Sequence, residues 1–156
     1  LGFPTYALSV VLFALLVFSG IGSLLTSGIQ DPRRGLVGVL LAASLLIAVS
    51  AFGLQPLLRS LIDLPFAARV LVAVVLLAPF GLLLGAPMPI GLRRFEALHP
   101  RSVPYAWGVN GVASVFASVL GVVVAINFGF MVAGLLGAGC YAFALLHAAT
   151  GRWPSS

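Results

Sequence analysis

The chain has 156 residues, 62% of them hydrophobic, with eight basic residues against three acidic ones and a formal net charge of +5. Only 7% of residues are charged, where a soluble domain carries about 25%, and the mean hydropathy is +1.22. Such a chain has too little polar surface to cover itself in water, which excludes a soluble globular domain. The basic residues lie at the ends of apolar runs and not on a water-facing surface, which excludes a nucleic-acid interface.

A spanning helix needs roughly 20 mainly apolar residues, so the length accommodates about five spans with short links. The expected class is all-α: a polytopic helical membrane protein with about five transmembrane helices and two short interfacial helices, forming one transmembrane domain over residues 1–156. The first residue is Leu, and no basic segment precedes a cleavage site, so residues 1–27 do not read as a signal peptide. The chain reads as a fragment or module of a larger protein or complex.

The first span covers residues 4–27. Pro4 suits a first helical turn, and Ser19-Gly20-Ile21-Gly22-Ser23 is small enough for two helix backbones to approach in lipid. The link 28–35 combines turn chemistry with Arg33 and Arg34. The second span covers 36–54. Residues 55–65 are bounded by Pro56 and Pro65, with Leu57, Leu58, Leu61 and Ile62 at helical spacing and Arg59, Ser60 and Asp63 between them. This pattern predicts the first interfacial helix.

The third span covers 66–86, with a kink expected at Pro79. Residues 87–100 set Ile90, Phe95 and Leu98 against Arg93, Arg94 and Glu96 and predict the second surface helix, closed by Pro100. The fourth span covers 104–127, opening with Tyr105 and Trp107 as interfacial aromatics. Asn127-Phe128-Gly129 reads as a tight turn with Asn127 as a cap. The fifth span covers 130–149, antiparallel to the fourth, and is followed by the tail 151–156.

Basic residues in alternate links fall six to one side (Arg33, Arg34, Arg93, Arg94, Arg101 and Arg152) and two to the other (Arg59 and Arg69). The excess marks the cytoplasmic side. Arg33/Arg34, Arg93/Arg94 and the C-terminus are therefore expected in the cytoplasm, with the N-terminus and the Arg59 segment outside.

In the fourth span Ala113, Ala117, Gly121 and Ala125 recur every four residues, beside Ser114 and Ser118. Residues four apart share a helix face, and small residues there form a close-packing surface. The fifth span offers Ala133, Gly134, Gly137 and Ala138 in answer. The two sets serve either the hairpin of spans four and five or an interface with a partner subunit or lipid. Asn110 lies two turns into the fourth span. It either bonds backbone carbonyls freed by Pro79 or lines a small polar site. Arg93 and Arg94 either anchor the topology or take a lipid headgroup, and Arg93 can also pair with Glu96 at i, i+3.

Cys140 is single and makes no internal disulfide; it reads as a small buried apolar residue. His99 and His147 lack companions for a metal site. The middles of the spans hold no acidic or basic residue to couple to a proton or ion, and no nucleophile lies near a base. Catalytic, cofactor-binding and metal-binding residues are not expected in this chain.

Three stretches carry a family resemblance. They are 2–13 (Gly2-Phe3-Pro4-Thr5-Tyr6 onward) with 19–24; 85–93 (Gly85-Ala86-Pro87-Met88-Pro89-Ile90-Gly91-Leu92-Arg93); and 104–115, containing Ala106-Trp107-Gly108-Val109-Asn110-Gly111. Together they resemble the membrane portion of large bacterial proteins of the spermidine synthase-like kind, which join transmembrane helices to a soluble S-adenosylmethionine-type nucleotide-binding domain. The resemblance covers most of the chain and implies a multi-pass module of the bacterial inner membrane. Any aminopropyltransferase-like activity would lie in a segment not present here. The expected function is a non-catalytic module that anchors or scaffolds such a soluble domain or a larger membrane complex, with the bilayer, other membrane subunits or a covalently linked domain as partners. The alternative is transport or binding of a polyamine or lipid.

Overall fold

The computed structural model describes residues 4–61 and 63–150. The described chain is helical throughout, without strands. Six α-helices follow one another: α1 (Pro4–Leu25), α2 (Pro32–Ser60), α3 (Phe66–Gly85), α4 (Pro87–Leu98), α5 (Val103–Phe128) and α6 (Phe130–Thr150). Short 3₁₀ turns at Thr26–Gly28 and Pro100–Ser102 complete the path. Five stretches are long and apolar enough to cross a membrane, α3 and α4 counting together as one. The protein is a multi-pass helical membrane protein.

Local chemistry sets the helix ends. Asp31 caps α2, its carboxylate accepting from the backbone N–H of Arg33 at 3.0 Å and of Arg34 at 3.2 Å. Pro32 follows in the first turn, where its missing N–H costs nothing. At the α5–α6 turn Gly129 adopts φ 88° and its N–H closes on the Ala125 carbonyl, while the Asn127 amide donates to the Val123 carbonyl. A side chain at Gly129 would be strained in that left-handed conformation.

The first expected interfacial helix does not exist separately. α2 runs through Gln55 and Pro56 to Ser60 without a break. A proline removes one ladder bond, and the neighbouring bonds carry the helix past it. At 29 residues α2 rises about 43 Å, against a hydrocarbon core about 30 Å thick. Its ends therefore stand at the headgroup level, as the interfacial reading required. The second surface helix is present as α4, turning off from α3 at Ala86. Its start is embedded: Ile90 is fully buried, and α4 packs against α2. Pro79 lies inside α3 without ending it.

Two helix pairs make the body. α1 and α3 run parallel in the most extensive contact of the molecule. Gly22 sits on the backbone of Leu82, Gly85 on the backbone of Ser19, and Gly81 against Phe18. A Cβ added at Gly22 or Gly85 would overlap the facing carbonyl. Tyr6 and Phe66 meet edge to face near the other end of the pair, ring centroids 6.1 Å apart. α2 and α6 run antiparallel and form the second large contact, with Leu40, Ala43 and Ser44 buried on α2 and Ala138 and Ala148 on α6.

Candidate functional site

One end of the bundle gathers the basic residues. The Arg33 guanidinium donates to the Ala149 carbonyl at the end of α6, at 2.8 Å. Arg34 pairs with Asp31 at 3.3 Å. Arg93 on α4 reaches across to the carbonyl of Thr26, the buried residue that opens the 3₁₀ turn after α1. These bonds tie the first link, α4 and the last turn of α6 to the same end. Arginine here closes orphan carbonyls at helix ends, where a cation is also favoured by the helix dipole. Glu96 is exposed, and Arg93 does not pair with it; its guanidinium is committed to Thr26. Arg94 is half-buried and has a partner of its own.

The small residues of α5 lie elsewhere. Ala113, Ser114, Ala117, Ser118 and Gly121 are all exposed, and Ala125 is half-buried. Every residue of α5 from 107 to 123 is exposed. The helix is held near its two ends, at Val103 and Ala106 and again at Val124 and Ala125. α5 and α6 are joined by the Gly129 turn and touch, but they do not pack along their small faces as expected. α6 gives most of its contact to α2 instead. Gly134 is part of that seam, facing Ala51, and Gly137 is half-buried on the same helix. The physical reason is competition: α2 presents small residues at Ala43, Ser44 and Ala51 and shares the full length of α6.

By helical period α5 has two unlike faces. One is Ala113, Ala117 and Gly121 with Ser114 and Ser118. The other is Val112, Val115, Val119, Val123 and Ile126, all exposed. The hydroxyls of Ser114 and Ser118 donate to their own helix, to the carbonyls of Asn110 at 2.7 Å and Val115 at 2.8 Å. Their polarity is thus satisfied locally and leaves a smooth surface. Asn110 is exposed, and its side-chain amide makes no hydrogen bond among the described residues. The expected bond to a carbonyl freed by Pro79 is not made. Cys140 is exposed and not buried as expected, since it lies on α6 away from the seam with α2 that buries Ala138; His99 stacks at a tilt against Phe95, ring centroids 5.5 Å apart.

The residues that seat the closest helix contact were only half anticipated. Gly22 lay within the small stretch singled out in span one. Gly81 and Gly85 were missed, although Gly81-Leu82-Leu83-Leu84-Gly85 carries the four-residue glycine spacing of tight transmembrane pairs. Comparison with family models, characterised proteins and solved structures finds no match.

Proposed function

We infer that this chain is a non-catalytic integral membrane module, and that the small face of α5 receives a transmembrane helix of a partner. The observation that carries the reading is the isolation of α5: a crossing helix exposed from residue 107 to residue 123. A bilayer tolerates a lone apolar helix; what calls for a partner is the asymmetry of this one. Valine and isoleucine suit lipid on one side, while Ala113, Ala117 and Gly121 let another backbone approach on the other.

The resemblance to spermidine synthase-like membrane proteins supports the anchoring form of this reading, in which a soluble domain or a larger membrane complex is held at the bilayer. The clustering of Arg33, Arg34 and Arg93 at one end supports a cytoplasmic location for that end and a bacterial inner-membrane setting. A soluble domain would sit on the same side as α4.

Native mass spectrometry of the complex solubilised from its own membrane tests this. A stoichiometric partner, lost from the double variant Ala113→Leu/Ala117→Leu, is the expected result. A monodisperse 16.1 kDa chain without companions would overturn it.

A further inference from the structure

Among the described residues, the end of the bundle opposite the Arg33 cluster holds two arginines, Arg59 and Arg69. The fold brings them to one cleft of about 430 Å³ between the last turns of α2 and the first turns of α3. Leu58, Val72 and Ala73 form its apolar wall. The two cations are uncompensated. Neither guanidinium makes a hydrogen bond or ion pair among the described residues, and Asp63 in the turn between them pairs with neither. Arg69 is half-buried, and its Nε is shut off from solvent without a hydrogen-bond partner.

A shielded guanidinium nitrogen without an acceptor is costly. The shielded Arg69 fork and the exposed Arg59 fork line the same cleft, and no anion among the described residues answers either. Arginine presents planar donors that match phosphate oxygens in pairs. The wall beside them is hydrocarbon. A ligand that satisfies both is anionic at one end and apolar at the other.

We propose that the Arg59–Arg69 cleft is a binding site for the phosphate headgroup of an anionic phospholipid, its acyl chain lying along Leu58, Val72 and Ala73. The phosphate accepts from both guanidinium groups. The site does not depend on the partner role of α5, since it uses only α2 and α3. Its position at a membrane surface favours a lipid over a free anion: headgroups are present there at high local concentration, and the apolar wall offers nothing to inorganic phosphate.

The test is native mass spectrometry of the full chain in detergent with phosphatidylglycerol, with phosphatidylcholine of the same acyl chains, and with inorganic phosphate. Phosphatidylglycerol is expected to remain bound and phosphatidylcholine to bind weakly. Each of Arg59→Gln and Arg69→Gln is expected to weaken phosphatidylglycerol binding about fivefold, the worth of one arginine at an anionic surface. Ala73→Trp, which fills the cleft and leaves both charges, is expected to abolish binding as well. This variant keeps the test decisive if an arginine variant folds poorly. Equal loss from Arg33→Gln/Arg34→Gln would show diffuse surface attraction and overturn the proposal. Equal retention of inorganic phosphate, dependent on Arg69, would overturn the lipid assignment, and unchanged binding in Ala73→Trp would overturn the cleft.

Discussion

The α1–α3 pair and α5 use the same kind of residue to opposite ends. In α1 and α3, Gly22, Gly81 and Gly85 are spent on a contact so close that no side chain fits between the backbones. In α5, Gly108, Gly111 and Gly121 meet nothing within 4 Å of an added Cβ, and Ala113 and Ala117 are exposed. Lipid offers no hydrophobic drive for helices to associate, so shape decides which faces meet. A small face is therefore an opportunity, and its use depends on whether a matching surface lies within reach. α3 lies beside α1. For α5 no element among the described residues fills that role.

Breaking the tight contact has the largest expected effect. Gly85→Leu forces a side chain into the Ser19 backbone and is expected to destabilise the chain by about 3 kcal/mol. Detergent-denaturation midpoints of the purified protein would read it. A wild-type midpoint would mean that the α1–α3 seam is looser than described. Gly134→Leu extends three further carbons beyond a Cβ that would already lie 3.5 Å from the Ala51 side chain, in the seam between α6 and α2. The expected cost is about 1 to 2 kcal/mol in the same assay.

Asp31→Ala removes the cap of α2 and leaves the Arg33 and Arg34 N–H groups without their acceptor. About 1 kcal/mol is expected, read also as faster amide hydrogen exchange at the start of α2. Gly121→Leu sharpens the contrast from the other side. The isolated chain is expected to change by less than about 0.5 kcal/mol. A large loss there would place a contact on α5 that contradicts its exposure.

The legibility of this fold in the sequence follows the same division. The spans themselves are read easily, because 20-residue apolar runs have one physical meaning. So is the Gly129 turn, where a single residue carries specific backbone chemistry; the start of α2 was placed at residue 36, whereas the Asp31 cap opens it at Pro32. The pairing of spans is not legible in the same way. Around an apolar helix, lipid-facing and helix-facing positions are both hydrophobic, so periodicity does not separate them. The adjacency of α5 and α6 suggested a hairpin, whereas α6 lies along α2. Pro56 suggested a break, yet α2 continues through it to Ser60. The Arg59–Arg69 cleft was invisible for another reason: ten residues and a turn separate the two arginines, and only the return of α3 beside α2 brings them together.

The most direct test of the partner reading is position-specific photocrosslinking in native membranes. Ala117→Cys and Val119→Cys, each with Cys140→Ala, would carry a cysteine-directed photoreactive group on the small and the branched face of α5. A discrete protein adduct is expected from position 117 and lipid adducts alone from position 119. Lipid adducts alone from both positions would contradict the partner reading.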